Sequence, residues 1–141
     1  MINITDTFVL RPRYSDVDQM GYVYHANYVS FCHQARTELM RKMGIHDKSL
    51  EDRGVMMPVI SFNIDYKSPG YYDDEIHITT TIKELPKVRF FFFYEIRNSE
   101  GKLLGKADST VVFVKLDSRM PIVAPDYVID ALQGFSSSDQ S

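Results

Sequence analysis

Five consecutive aromatic residues, from Phe90 to Tyr94, restrict how this chain of 141 residues can fold more than any other feature. In an extended strand, alternate side chains point to opposite faces, so Phe91 and Phe93 lie on one face and the other three rings on the opposite face. One layer of helix covers only one face of a sheet. We therefore predict that the second face, which also carries aromatic rings, contacts another subunit. The alternative is that Phe91 and Phe93 pack beneath the chain's own terminal segments.

The rest of the hydrophobic pattern predicts one long helix placed among strands. Between about residues 25 and 43, apolar side chains recur at steps of three or four, which is typical of one buried helix face, and Gly44 follows as a C-cap. Apolar alternation and turn residues predict the other elements. These are an opening strand over 6–14, a short helical turn over 48–53, four strands over 55–67, 75–85, 87–98 and 102–116, and a short helix over 125–133.

The composition is typical of one soluble globular domain, with 44% hydrophobic and 25% charged residues. The net charge of −3 disfavours general nucleic-acid binding, which needs a basic face. No apolar run reaches the roughly 20 residues of a membrane span, and no secretory signal is visible. The single cysteine, Cys32, excludes an intramolecular disulfide and favours the reducing cytoplasm. We predict one domain over residues 1–134 and a disordered tail over 135–141.

The segment that precedes the long helix carries the residues that point to chemistry. It contains two carboxylates, Asp16 and Asp18, then Gly21 and, at the expected helix start, His25. A helix N-terminus has unpaired backbone N–H groups and positive partial charge, so it can hold an oxyanion. A nearby carboxylate can act on the same carbonyl as base or nucleophile. The alternative interpretation is structural: the aspartates form turns, and Asn27 or a neighbour caps the helix.

The order of residues in this segment is more informative than its composition. Residues 16–23 read Asp-Val-Asp-Gln-Met-Gly-Tyr-Val, and Asn27-Tyr28 lead into the helix. This arrangement resembles the 4-hydroxybenzoyl-CoA thioesterase family, in which Asp-x-Asp-x-x-Gly-x-Val leads through Asn-Tyr into the long helix. The resemblance covers roughly residues 7–132 and continues through Phe31–Arg41, Pro58-Val59, Tyr66–Pro69, Gly101–Ala107, Arg119–Pro121 and Pro125.

The resemblance implies an α+β hotdog fold, in which an antiparallel sheet wraps around one long central helix. Such subunits pair so that their sheets become continuous, with active sites at the dimer interface, and the dimers often stack into homotetramers. The family's catalytic carboxylate falls on Asp18, which attacks the thioester carbon or activates water. The backbone N–H of His25 would polarise the thioester carbonyl, and the His25 ring would contact substrate or orient Asp18. Asp16, the competing base, is then expected to brace the loop.

Three basic residues are candidates for binding the phosphates of a CoA substrate. Lys87 and Arg89 stand at the start of the aromatic strand, and Arg119 lies in a late turn. Phosphates are bound by Lys and Arg even on a protein of negative net charge. Each of the three also fits the simpler interpretation of a solvated surface charge.

Candidates for contacts with the acyl group lie around the start of the helix. Tyr24 is expected to line part of the acyl pocket, and Met56, Met57 or Phe62, which come later in the chain, are expected to do so as well. Asn27 and Tyr28 either line the pocket or pack between the loop and the helix. Glu38 is a carboxylate on the helix itself, the position used by another branch of hotdog thioesterases. Because it lies among basic neighbours, we predict that it forms a structural ion pair instead.

The resemblance therefore predicts an acyl-CoA thioesterase that hydrolyses a thioester to a free acid and CoA. Such a reaction needs no cofactor, since CoA is part of the substrate, and the histidines lack the spacing of a metal site. One alternative is an acyl-carrier-protein thioesterase with the same site and a protein partner. The other is a non-catalytic protein that binds acyl thioesters.

Overall fold

The computed structural model describes residues 2–139 and shows an antiparallel sheet packed against one long helix. Its strands are β1 (Ile4–Leu10), β2 (Val55–Met56), β3 (Val59–Tyr66), β4 (Ile76–Ile82), β5 (Arg89–Asn98), β6 (Leu103–Val112) and β7 (Val114–Lys115). Its helices are α1 (Asn27–Lys42), α2 (Asp47–Asp52) and α3 (Asp126–Asp139), and a short 3₁₀ turn covers Tyr14–Asp16.

The main sheet has five strands in the order β1-β4-β5-β6-β3, and every neighbouring pair is antiparallel. Strands β2 and β7 form a separate two-stranded ribbon. The edges of the main sheet are therefore β1 and β3, which leaves one side of each without a backbone partner among the described residues.

Helix α1 packs on one face of the sheet, mainly against β4 and β1. The positions predicted to share its buried face are buried, with Cys32 and Leu39 fully enclosed. Opposite them lie the rings of Phe90 and Phe92, also fully buried. Burial raises the pKa of the Cys32 thiol to about 12. Gly44 follows the helix with a positive φ of 79°, as expected of a C-cap glycine.

The opposite face of the sheet carries exposed aromatic rings. The exposed fraction is 43% for Phe91 and 37% for Phe93, and Lys83 Nζ lies 4.1 Å from the centre of the Phe93 ring. The alternative that both rings pack beneath the terminal segments is therefore wrong for the described part of the chain. Because β5 carries aromatic rings on both faces, the face of the sheet opposite α1 has a partly apolar surface.

Several predicted boundaries are wrong for local reasons. The opening strand is earlier than predicted, because the chain leaves the sheet before Pro12 and forms the 3₁₀ turn. The strand predicted over 55–67 is divided at Pro58, which has no N–H to donate to a ladder. Helix α3 is longer than predicted and includes residues 135–139 of the predicted tail, while 140 and 141 lie outside the described residues. The domain boundary at 134 stays a prediction.

No helix among the described residues is both long enough and apolar enough to cross a membrane.

Candidate active site

The loop before α1 is closed on itself by backbone hydrogen bonds. Val17 pairs with Val23 in an isolated bridge, and the N–H of Asp18 donates to the carbonyl of Tyr22 at 2.8 Å. Gly21 has a φ of +79°, which an L side chain rarely adopts, and its N–H donates to the Asp18 carbonyl at 3.0 Å. These hydrogen bonds close residues 18–22 into a turn that fixes the backbone of Asp18.

The two oxygens of the Asp18 carboxylate have different surroundings. Oδ1 accepts hydrogen bonds from the backbone N–H groups of Met20 at 2.9 Å and Tyr22 at 3.2 Å. Oδ2 has no hydrogen-bond or ion-pair partner among the described residues, and the side chain is exposed. The structural interpretation of this aspartate as a turn former is thus confirmed for one oxygen. The other oxygen takes no part in the turn.

Asp16 is buried and holds the loop in place. Its Oδ2 accepts from the backbone N–H of Arg13 at 2.7 Å, and its carbonyl accepts from Tyr24 at 2.9 Å. Burial acts to raise the pKa of Asp16, but the hydrogen bonds and the charge of Arg13 outweigh it, so the pKa lies below its ordinary value. This geometry supports the bracing role expected of Asp16.

The start of α1 offers unpaired backbone donors next to this loop. The N-cap residue is Ala26, with no side-chain cap, so the alternative that the side chain of Asn27 or a neighbour caps the helix is wrong. Among the described residues, the backbone N–H groups of His25 and Ala26 have no acceptor. They stand at the positive end of the helix, where an anionic oxygen is stabilised. This is the position predicted for polarising a carbonyl.

The carbonyl of His25 is held by a tyrosine that the sequence analysis did not single out. The Tyr66 hydroxyl donates to this carbonyl at 2.8 Å, which fixes the orientation of the peptide at the helix start. The His25 ring is exposed, with its centroid 4.6 Å from that of Tyr24 and 6.1 Å from that of Tyr66. The two residues are 41 positions apart, so only the tertiary structure shows that Tyr66 reaches residue 25.

Asn27 and Tyr28 have inward contacts in the structure. The side-chain amide of Asn27 donates to the Asp16 carbonyl at 2.8 Å, which ties the loop to the helix. Tyr28 is buried between Phe31 and Tyr66, and burial raises its pKa to about 12. Both contacts are those of packing residues. A contact of either residue with substrate stays a prediction.

The basic candidates lie at the other end of the protomer. Arg89 pairs with Val112 on β6, whereas Tyr66 pairs with Gly105, seven residues earlier on the same strand. At 3.3 Å per residue, the two positions are about 23 Å apart along the strand. Lys87 adjoins Arg89 and lines the same shallow cleft. Within one protomer, the structure does not bring these two basic residues to the Asp18 loop.

Arg119 and Glu38, the remaining charged candidates, each contact a different neighbour. Arg119 has a positive φ of 63°, and its Nη1 lies 3.0 Å from the Met56 sulfur. Glu38 forms an ion pair with Arg41, with Oε1 3.4 Å from Nε. The prediction of a structural ion pair for Glu38 is confirmed.

Comparisons with known proteins agree with the fold. The model of the thioesterase-like superfamily matches residues 12–132. The Bacillus subtilis protein named "Putative acyl-CoA thioesterase YneP" is 37% identical over 110 residues, which are 78% of this chain and 80% of that protein. The acyl-CoA thioester hydrolase YbgC of Escherichia coli O6:H1 is 32% identical over 120 residues, covering 85% and 90%. The solved structure of DHNA-CoA thioesterase from Staphylococcus aureus superposes with a TM-score of 0.83 at 26% identity, covering 96% and 95%.

We expect Gly70→Ala to disturb the packing behind the site. A Cβ at this position would lie 2.6 Å from the Tyr28 hydroxyl and 3.4 Å from side-chain atoms of Val23 and Ile76. Because the Tyr28 ring is enclosed, relief of the clash must shift it, and the free energy of unfolding should fall by about 1–3 kcal/mol. Urea denaturation of the variant and the wild type measures this loss.

The matched control is the same substitution in a Tyr28→Phe background. Removing the hydroxyl removes the atom that meets the new methyl group, so most of the loss should disappear. An equal loss of stability in both backgrounds would show that the Tyr28 contact is not the cause.

Proposed function

The chain belongs to the thioesterase-like superfamily, and on that premise we propose that it hydrolyses an acyl-CoA thioester to a free acid and CoA. The relatives named as acyl-CoA thioesterase and acyl-CoA thioester hydrolase span most of this chain and support the substrate class. One observation carries the proposal. The Asp18 carboxylate, with one oxygen outside the loop's hydrogen bonds, stands in the same segment as the N–H groups of His25 and Ala26, which have no acceptor among the described residues.

The proposed chemistry divides the work between Asp18 and the helix start. The N–H groups of His25 and Ala26 bind the thioester oxygen, and they stabilise it further as negative charge develops. Oδ2 of Asp18 either attacks the carbonyl carbon, or takes a proton from a water molecule that attacks it. In both routes the carbon–sulfur bond breaks and CoA leaves as the thiolate or thiol. Water completes the reaction in the first route by hydrolysing the acyl-aspartyl anhydride.

The other residues around the loop hold Asp18 and the helix start in place. Asp16 and Asn27 hold the loop on the helix, and Tyr66 fixes the peptide that carries the donor. Held in this way, the donors are oriented before the substrate arrives, which lowers the cost of reorganisation during the reaction. The His25 ring and Tyr24 are proposed to contact the acyl thioester. The reaction needs no cofactor, and a cytoplasmic location is part of the same proposal.

A second protomer is proposed to complete the site. Strand β3 is a free edge of eight residues without proline, and its exposed apolar side chains include Val59 and Ile60. Such an edge favours pairing with another strand. Antiparallel pairing of two β3 strands around a two-fold axis places the Val59 end of one protomer beside the Tyr66 end of the other. The partner's basic end would then approach the Asp18 loop, where Lys87 and Arg89 are proposed to bind CoA phosphates.

The exposed face of the sheet is proposed to join two such dimers into a tetramer. Phe91 and Phe93 lie at the middle of that face, opposite Thr110 and Asp108 on β6. Stacking two sheets over these rings removes apolar surface from water, which favours association by about 25 cal/mol for each Å² buried.

We expect Asp18→Asn to lower kcat for thiol release from acyl-CoA by about 100-fold or more. Asparagine keeps an oxygen that can accept the two loop hydrogen bonds, while the nucleophilic or basic oxygen is lost. The measurement is release of the CoA thiol from a panel of short, long and aromatic acyl-CoAs, with substrate binding measured in parallel.

Glu38→Gln is the matched control, because it neutralises the other carboxylate considered and should leave kcat within about twofold. Full activity of the Asp18 variant would contradict the proposed role of this carboxylate. A wild-type protein that binds acyl-CoA without releasing thiol would instead support the non-catalytic alternative.

We expect two surface variants to separate the two proposed interfaces. Phe91→Ser combined with Phe93→Ser should convert tetramers to dimers that keep their activity, because only the stacked faces lose apolar area. Ile60→Lys on the β3 edge should give monomers with little activity, because the charge opposes strand pairing. Light scattering after size exclusion gives the mass, and thiol release gives the activity.

The two variants serve as controls for each other, since both replace exposed apolar side chains. A fully active Ile60→Lys monomer would show that one protomer contains the whole site. An unchanged mass of the double serine variant would place the tetramer contact elsewhere.

A further inference from the structure

One hydrogen bond joins the end of β3 to the start of α1. The Tyr66 hydroxyl donates to the His25 carbonyl at 2.8 Å. Tyr66 is the last residue of β3 and pairs with Gly105 on β6. The next backbone N–H, that of Lys67, donates to the Leu104 carbonyl of β6 at 2.8 Å. The sheet therefore fixes the backbone from which the Tyr66 phenol extends.

The two N–H groups that have no acceptor among residues 2–139 belong to consecutive peptides. The first peptide joins Tyr24 to His25, and the second joins His25 to Ala26. In the first, the Tyr24 carbonyl accepts from the backbone N–H of Asn27 at 2.9 Å. The backbone of the helix start therefore holds the first peptide by itself.

The second peptide is held by a side chain as well. Its carbonyl, that of His25, accepts from the backbone N–H of Tyr28 at 3.3 Å and from the Tyr66 hydroxyl at the shorter distance of 2.8 Å. Hydrogen bonds in a chain polarise one another, so a donor at this carbonyl strengthens the N–H at the other end of the same peptide. That N–H belongs to Ala26. The Tyr66 hydroxyl can thus act on an oxygen bound there without contacting it.

The surroundings of the phenol keep it in the form that donates. The centroid of the Tyr66 ring lies 5.8 Å from that of the buried Tyr28 ring and 6.1 Å from that of the His25 ring. Partial burial raises the pKa of Tyr66 above its ordinary value. The hydroxyl therefore keeps its proton at neutral pH, and only the protonated form can donate to a carbonyl.

We propose that Tyr66 is a positioning residue for the thioester hydrolysis, and that its hydroxyl orients and polarises the 25–26 peptide whose Ala26 N–H binds the thioester oxygen. The inference rests on the proposed function and adds a side chain that acts only through the backbone. Negative charge on the oxygen grows towards the tetrahedral intermediate. A stronger donor therefore lowers the reaction barrier more than it tightens substrate binding.

The first test requires no turnover. The full chain is labelled with ¹⁵N-alanine, and the Ala26 amide is compared in the wild type and in Tyr66→Phe by ¹H–¹⁵N correlation NMR. Loss of the donor at the carbonyl should move the Ala26 amide resonance upfield, because the peptide is less polarised. The amide of Ala35, near the middle of α1, should stay in place.

Tyr72→Phe is the matched control for this test. Tyr72 is exposed to a similar extent, 52% against 48% for Tyr66, and its hydroxyl has no hydrogen-bond partner in the described part of the chain. The same atom is removed from both residues. The Ala26 amide should therefore move in Tyr66→Phe and stay in place in Tyr72→Phe.

The second test is the rate of thiol release from acyl-CoA. Removing one such donor altogether lowers kcat by about 100- to 1,000-fold. Tyr66→Phe keeps the Ala26 N–H but polarises it less, so kcat should fall by about tenfold while KM stays within about twofold. Tyr72→Phe should keep the wild-type kcat.

A third measurement separates polarisation from a merely structural role. Replacing Tyr66 with 3-fluorotyrosine keeps the ring and the hydroxyl but lowers the pKa of the phenol. The hydroxyl donates below this pKa and cannot donate above it, so the alkaline decrease of kcat should begin at a lower pH than in the wild type. A structural role alone would leave the pH profile unchanged.

The outcomes are distinct. An unmoved Ala26 amide in Tyr66→Phe overturns the inference whatever the activity. A higher KM at unchanged kcat also overturns it, because Tyr66 would then be a substrate contact, and so does a pH profile that fluorine leaves unchanged. A wild type that releases no thiol contradicts the proposed function instead. In that case the Ala26 amide shift still supports or contradicts the action of Tyr66 on the peptide.

Discussion

One helix cannot cover the whole of a five-stranded sheet, and the residues proposed to carry the chemistry lie where that cover ends. Helix α1 packs mainly against β4 and β1, so the β3 edge keeps exposed apolar side chains. At its N-terminal end, the helix has backbone N–H groups beside an acidic loop that find no acceptor within residues 2–139. Near its middle, Arg36 is buried beneath the helix margin without an acidic partner among the described residues.

The loop before the helix fixes the carboxylate proposed to react while leaving one of its oxygens out of the loop's own hydrogen bonds. Oδ1 of Asp18 accepts hydrogen bonds from two backbone N–H groups, and Oδ2 has no partner in the part of the chain that the structure describes. The fixing contacts come from neighbouring residues, since Asp16 is buried and Asn27 donates to its carbonyl. Asp16 and Asn27 thus hold the segment in place, and Asp18 is the residue proposed to react. This division explains why two aspartates only two positions apart have such different surroundings.

Sequence periodicity predicted the helix and its buried face because apolar positions such as Cys32 and Leu39 follow the helical repeat strictly. It could not predict the break at Pro58, since both flanking strands continue the same apolar alternation. Nor could it identify Arg36 as buried, because a charged residue at the edge of an apolar stripe reads as solvent-facing. The hydrogen bond from Tyr66 to the His25 carbonyl joins residues 41 positions apart, so no local pattern in the sequence could predict it. The choice of Asp18 over Asp16 came from the family resemblance, and the structure supplies the physical contrast between them.

The burial of Cys32 has a practical consequence for enzymology. It is the only cysteine of the chain, it is fully enclosed, and burial raises the pKa of its thiol to about 12. Thiolate, which is the form that reacts with disulfide reagents and electrophiles, is therefore scarce in the folded protein at neutral pH. Reagents that trap the thiol of CoA will report the coenzyme with little background from the folded protein. The same enclosure keeps mild oxidants away from the Cys32 thiol as long as the protein stays folded.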